Sequence, residues 1–340
     1  MENSNLSLIK IGVIGAGYWG PNLIRNFYHN ERCVMRYVCD LDGEKLAKIK
    51  KEYPSVICTQ AVQDMIAVDA VDAVVIATPV STHFKLAQLA LAAGKHVLIE
   101  KPLATSVAEC AVLIQMARER NLVLMVDHTF LYTGAVQKIK ALIQEGVLGK
   151  IYYFDSERIN LGLIQPDVNV LWDLAPHDIA IMQYIFAGMR PVSVWADGSS
   201  HVSSTSCDVA HAIIQFDTGV VGHIHVSWLA PLKIRKTLIG GSKKMIVYND
   251  IEPSEKIKIY DKGASIDFGS ETAMKPIYRS GDVYIPAFSD EEALKREVNH
   301  FLDCITLGEQ PLSGGAVGLE VVKILEACDR SLREGKKITL

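Results

Sequence analysis

Residues 9–40 read IKIGVIGAGYWGPNLIRNFYHNERCVMRYVCD. A short β-branched run, Ile9 to Ile14, leads straight into Gly15-Ala16-Gly17-Tyr18-Trp19-Gly20, which fits G-x-G-x-x-G. The pattern is weak by itself, but here it follows a strand, opens a helix over NLIRNFYHN, and precedes a second strand that ends in Asp40. Those are the conditions under which such a loop binds a dinucleotide. In that reading Gly15 makes the tight turn and Gly17 lets the backbone approach a pyrophosphate. Gly20 allows close packing of the helix whose N-terminus faces the phosphates. Asp40 would accept hydrogen bonds from ribose hydroxyls and repel a 2′-phosphate, which favours NAD over NADP.

Outward from this unit the alternation continues. Strands are expected at VICT (56–59), VDAVVIA (71–77), HVLIE (96–100) and LVLMV (122–126). Helices are expected at GEKLAKIKKEY (43–53), HFKLAQLALAAG (83–94, stopped by Gly94) and SVAECAVLIQMARER (106–120). Continuous apolar strands separated by amphipathic helices describe a parallel sheet covered on both faces, a Rossmann domain over residues 1–126.

Beyond residue 126 the texture changes. In DVAHAIIQFDTGVVGHIHVSWLAP, Ala212, Ile214 and Phe216 share one strand face, and Asp217-Thr218-Gly219 supplies a hairpin turn. Further strands are expected at KIYYFDSERI, RPVSVWADG, KIRKTLIGG, KMIVYND and EKIKIYD, and closing helices from Asp290 to Leu307 and Gly315 to Arg333. The stretch FGSETAMKPIYRSGDVYIPA (268–287) carries no clear period and reads as a surface loop. Residues 127–340 are thus expected to form an α+β domain with a largely antiparallel open sheet, its last helix packing back on the first domain. An exposed sheet face is a ready contact between copies, so a homodimer or homotetramer is expected.

Composition narrows the function. The 340 residues carry a formal charge of −4, with no basic face for nucleic acid and no single-sign block for a membrane surface. Secretory features are missing from the N-terminal segment, and no apolar run spans a bilayer, so a cytoplasmic protein is expected. Seven cysteines, an odd number without C-x-x-C spacing, argue for free thiols and against a zinc site. His223 and His225 alternate on a strand as metal ligands can, but they share a face with Ser227, opposite Ile224, Val226 and Trp228. A polar or subunit-contact face is the simpler meaning, and no metal is expected.

In a doubly wound sheet the carboxyl ends of the strands line the ligand crevice. Tyr18 and Trp19 in the glycine loop, Thr78, Pro79 and His83 after the fourth strand, and Glu100 and Lys101 after the fifth are therefore candidate cofactor contacts. A lysine at the mouth of a buried strand suggests a use for its charge. Pro102 biases it toward extended geometry. In LWDLAPHDIAIMQYIFAG (171–188), Pro176 suits only a first turn, which predicts a helix starting near Asp173. Asp173 and His177 would then lie four apart on one face at the N-terminal end. There the dipole favours a neutral imidazole able to accept a proton. A capping aspartate beside a core histidine competes with that reading. Tyr132, Arg158 and Trp172 lie on segments expected to border the substrate, Arg158 as a diphosphate contact. His128, after Asp127, lines or caps the crevice.

These residues together resemble the glucose-fructose oxidoreductase / inositol dehydrogenase (Gfo/Idh/MocA) family. The likeness rests on the glycine motif, Ala77-Thr78-Pro79, AGKHVLIEKPLA (93–104), and an aspartate four before a histidine. It extends through EVNHFLDCI (297–305) to VVKILEACDRSLREGKKITL (321–340). The resemblance implies an NAD-dependent oxidoreductase acting on CH–OH groups. Lys101, Asp173 and His177 would be its catalytic and substrate-binding residues, flanking the substrate carbon, and Pro102 would be cis. Where the family often has D-x-G-x-H, this chain has Ala175 and Pro176. The finer likeness is to members acting on nucleotide-linked sugars, including UDP-sugar 3-dehydrogenases. That implies oxidation or reduction at C3 of a substrate such as a UDP-N-acetylhexosamine. A dehydrogenase of free sugars or inositols, and a non-catalytic dinucleotide-binding regulator, are the alternatives.

Overall fold

The computed structural model describes residues 8–66, 69, 71–165, 167–202, 206–267 and 275–340. The chain divides into two compact units, one of residues 1–132 and 291–322, the other of 133–290 and 323–340. The expected boundary at residue 126 therefore misses two things. The first unit continues to Tyr132, and it reclaims a C-terminal segment that local pattern could not assign.

In the first unit a six-stranded parallel sheet is built from β1 (Ile9–Ile14), β2 (Cys33–Cys39), β3 (Ile57–Thr59), β4 (Ala73–Ile76), β5 (His96–Glu100) and β6 (Leu124–Asp127). Its order is β3-β2-β1-β4-β5-β6, with the reversal of direction between β1 and β4 where open α/β sheets form their crevice. Strand β4 is buried along its whole length and β1 over its last four residues, so these strands lack polar alternation. The connecting helices are α1 (Gly20–Tyr28), α2 (Gly43–Glu52), a short α3 (Val62–Ile66) that the pattern did not reveal, α4 (Val80–Ala92) and α5 (Val107–Glu119). Asp42 and Ser106 cap α2 and α5 with their side chains. Gly94, at φ 73°, ends the α4 segment as expected.

The second unit opens with α6 (Gly134–Gln144), β7 (Ile151–Leu161) and α7 (Val170–Ile185). It continues with β8 (Pro191–Ser199), β9 (Val209–Phe216), β10 (Val221–Ser227), β11 (Leu229–Gly241), β12 (Met245–Asn249), β13 (Ile257–Asp267), β14 (Lys275–Tyr284) and β15 (Ile338–Thr339). These nine strands form one sheet, order β14-β13-β12-β11-β7-β10-β9-β8-β15. All pairs are antiparallel except β7 with β10. Alternation is clean: Ile224 and Val226 are buried against α7's side, while His223 and His225 stay partly exposed. Their rings stack on His211, at 5.7 and 4.2 Å between centroids, and each also pairs with a carboxylate of β7, Asp155 and Glu157.

Three expectations need correction here. Lys275–Tyr284 is a strand, not loop. It is an edge strand on β13 whose described side chains are exposed, so no burial pattern marks it. The rest of that expected loop, residues 268–274, lies outside the described residues. Helix α7 starts at Val170 rather than Asp173, because the Asn169 side chain accepts from the amides of Leu171 and Trp172 and nucleates it one turn earlier. Pro176 consequently sits inside the helix, past the first turn, where it removes one backbone donor.

The last helices are α8 (Ala293–Thr306) and α9 (Gly315–Glu334), the latter supplying residues to both units. Glu292 occupies the N-cap position of α8, so the helix begins at Ala293 rather than at the expected Asp290. All seven cysteines are free thiols. Among the described residues no helix is long and apolar enough to cross a membrane, and no cluster of His, Cys, Asp or Glu is placed to hold a metal ion.

Candidate functional site

The glycine loop is built as its spacing demands. Gly15 has φ 99° and its amide donates to Cys39 O at 2.8 Å, closing the turn from β1 onto β2. A Cβ on Gly20 would overlap the carbonyl of Gly15, whereas one at Gly17 would meet open space. Gly20 therefore serves packing, and Gly17 leaves the backbone open to a ligand. The N-terminus of α1 has no side-chain cap and no acidic residue in its first turn, so its amides remain suited to an anion. Asp40 is fixed by two amides, Oδ2 accepting from Ala16 at 2.6 Å and Oδ1 from Asp42 at 2.9 Å. These features fit a dinucleotide: Gly15 to Gly20 would hold the pyrophosphate and Asp40 the adenosine ribose. Tyr18, 90% exposed, projects from the same loop.

The neighbouring strand exits carry Thr78, Pro79 and Lys101. Thr78 Oγ1 shares a 2.7 Å hydrogen bond with Thr82, and Pro79 precedes α4. The Lys101–Pro102 peptide is cis, as the resemblance implied. Lys101 is half-buried, and its amide donates to Glu100 Oε2 at 3.0 Å. His83 is buried, its two ring nitrogens each 2.8 Å from a carbonyl, Nδ1 from Pro102 O and Nε2 from Thr78 O.

Beneath these exits lies a group of carboxyls that local sequence pattern does not bring together. Glu100 and Asp127 are partners across β5 and β6, and Glu297 comes from α8 with no solvent exposure. Asp127 accepts from Trp19 Nε1 at 2.7 Å and from the Thr129 hydroxyl. Burial, then the charge and hydrogen bond of Asp127, pushes the Glu100 carboxyl well above the usual range despite Lys101. Burial and Asp127 do the same to Glu297, with Glu100 adding to the effect. Both are thus held as neutral acids. His128 is fully buried, and burial brings its imidazole down to about 4, so it too is neutral. The signal for this group was a tryptophan in the glycine loop able to reach an acid at the end of β6. Its third member, some 170 residues further on, left none.

Tyr132 does not present itself to a ligand. It is 4% exposed, and its hydroxyl is bonded to His300 Nδ1 at 3.0 Å and Ser313 Oγ at 3.1 Å within the first unit, which corrects the expected substrate contact.

In the second unit Asp173 and His177 occupy one face of α7, four residues apart, both half-buried. Asp173 Oδ2 accepts from the buried Trp228 indole at 2.9 Å, so its orientation is set by the sheet rather than by a capping role. Trp172 donates to Asp329 Oδ2 at 2.7 Å and is buried, tying α7 to α9 instead of offering a polar edge to a substrate. Arg158 forms a bidentate pair with Asp178, 2.6 and 3.1 Å, at 4% exposure. Burial pulls its guanidinium down, but Asp178 outweighs that and holds it above the ordinary value. An arginine so occupied inside the unit is not a diphosphate contact, which corrects that expectation.

Comparison with known proteins bears on the whole chain. Residues 9–128 match the model of the oxidoreductase family with NAD-binding Rossmann fold, and residues 136–247 match the GFO/IDH/MocA C-terminal domain. The UDP-N-acetylglucosamine 3-dehydrogenase of Acidithiobacillus ferrooxidans is 29% identical over 338 residues, covering 92% of this chain and 94% of that protein. A solved structure of that enzyme, GnnA, covers 96% of this chain and 98% of its own, with a TM-score of 0.79 and 27% identity. The WlbA dehydrogenase from Bordetella pertussis, solved with NADH and UDP-GlcNAcA, shares the fold at a TM-score of 0.80 and 20% identity, covering 98% of each chain. Matched in both halves by models of one family, the chain belongs to the Gfo/Idh/MocA oxidoreductases, enzymes with an NAD-binding Rossmann domain.

Proposed function

We propose that this protein is an NAD-dependent dehydrogenase acting at C3 of a nucleotide-linked sugar of the UDP-N-acetylhexosamine type. The observation that carries it is the near full-length similarity to a UDP-N-acetylglucosamine 3-dehydrogenase, 29% identical across 92% of this chain. Bound nicotinamide would supply the acceptor or donor of hydride. Lys101 and His177 serve the hydroxyl that becomes the carbonyl. One exchanges its proton, and the lysine's positive charge stabilises the developing oxyanion. Asp173, fixed by the Trp228 indole N–H, positions His177 one helical turn away. Asp40 supplies the NAD preference, since a second negative charge beside it would be repelled.

The test follows appearance of NADH with UDP-N-acetylglucosamine and its C6 and C4 relatives, against free sugars and inositols. Turnover confined to nucleotide sugars is expected. His177→Asn and Lys101→Met should each lower kcat by about 10²- to 10⁴-fold. Turnover with free sugars or inositols alone would overturn the substrate assignment. Full activity in both variants would overturn the residue roles. Asp40→Ser should raise kcat/KM with NADP relative to NAD, and an unchanged ratio would remove Asp40 from cofactor choice.

A further inference from the structure

The geometry of His83 contains more than a packed ring. Nδ1 and Nε2 each lie 2.8 Å from a backbone carbonyl, of Pro102 and Thr78 respectively, and the residue is only 1% exposed. A carbonyl oxygen can only accept. Neutral imidazole has one N–H and one lone pair, so it can satisfy one of these carbonyls while turning a bare nitrogen on the other at hydrogen-bonding distance. Only the doubly protonated ring donates to both.

We propose that His83 is held as a buried imidazolium that staples the exits of β4 and β5 together and acts as a positioning residue for Lys101. Thr78 O belongs to the segment leaving β4, and Pro102 O immediately follows Lys101. On the other side, the amide of Lys101 itself is anchored on Glu100 Oε2. The backbone is therefore fixed on both flanks of the lysine. Charge-assisted donors are roughly twice as strong as neutral ones, and two of them act against the cost of burying the cation. Ionisable groups on the segments surrounding this staple are Lys85 on α4, Glu100 and Lys101 at the end of β5, and Asp127 and His128 at the end of β6.

The role for Lys101 rests on the proposed dehydrogenase reading, whereas the protonation of His83 does not. The full chain, labelled with ¹⁵N-histidine, is examined by NMR, and the His83 ring is assigned by its loss in His83→Gln. Both ring nitrogens should carry protons even about 1.5 pH units above the ordinary histidine value of about 6.5. A bare ring nitrogen under those conditions overturns the proposal. For positioning, His83→Ala should lower kcat by about 100-fold, as a misplacement of about 1 Å does, with KM for NAD changed far less. His83→Gln, which keeps one donor, should recover part of the loss. A folded His83→Ala enzyme with parental kcat overturns the positioning role. Absence of turnover in the parent enzyme refutes the substrate reading instead and leaves the NMR result to decide His83.

Discussion

The two units solve the burial of ionisable groups in opposite ways. In the first, like groups are gathered: Glu100, Asp127 and Glu297 lie together under the strand exits. In the second, unlike groups are paired: Arg158 and Asp178 form a closed bidentate contact under the sheet. Opposite charges can stay ionised in a low-dielectric interior because each supplies the other's field. Carboxyls brought together cannot, so the glutamic acids keep their protons and act as donors. The first arrangement makes the floor of a crevice sensitive to proton concentration. The second makes a fixed strut between β7 and α7.

That contrast can be broken from either side, beginning with the largest effect. Arg158→Ala should destabilise the protein by about 3–5 kcal/mol, since it leaves Asp178 buried without its partner. Arg158→Met combined with Asp178→Leu should return most of that stability. Chemical denaturation of both variants checks this, and equal losses in the two would mean the pair is not the source.

Trp19→Phe deletes the 2.7 Å donor to Asp127 and leaves a buried acceptor short of a partner. A loss of about 1–3 kcal/mol is expected, together with weaker NADH binding because the glycine loop loses its anchor on β6. Fluorescence titration with NADH reads the second effect. Unaltered affinity would detach the carboxyl group from the cofactor loop.

The smallest effect concerns pH. Glu100 and Glu297 bind protons more tightly folded than unfolded. Their contribution is complete below the ordinary glutamate value of 4.5 and is lost as pH climbs from there through the raised folded values. Glu297→Gln, permanently neutral, should flatten the fall of stability with rising pH by up to about 1.4 kcal/mol per pH unit. Tm measured across neutral and mildly alkaline pH checks this. A slope identical to the parent's would show that Glu297 does not titrate in the fold.

Much of the first unit was legible from residues alone because its information is local. A glycine that must adopt φ 99°, a glycine whose neighbour is a carbonyl, and an acid closing β2 are all set by contacts within about thirty residues. Helix α7 shows where that logic stops. Pro176 argued for a start near Asp173, but Asn169 capped the helix earlier and packing held the proline in its interior. Strand β14 was missed for a related reason, since an edge with exposed side chains has no face to mark.

By itself the sequence determined the alternation of strands and helices, the dinucleotide loop with its acid, the placement of Lys101 at a strand exit and the family likeness. These follow from backbone preferences and hydrophobic period, which act over short chain distances. Only tertiary structure decided that Arg158, Tyr132 and Trp172 are spent on internal partners, that Glu297 joins acids far away in the chain, and that His83 meets two carbonyls at once. Hydrogen-bond satisfaction in a buried site depends on which donors the fold delivers there, and chain distance carries no record of it.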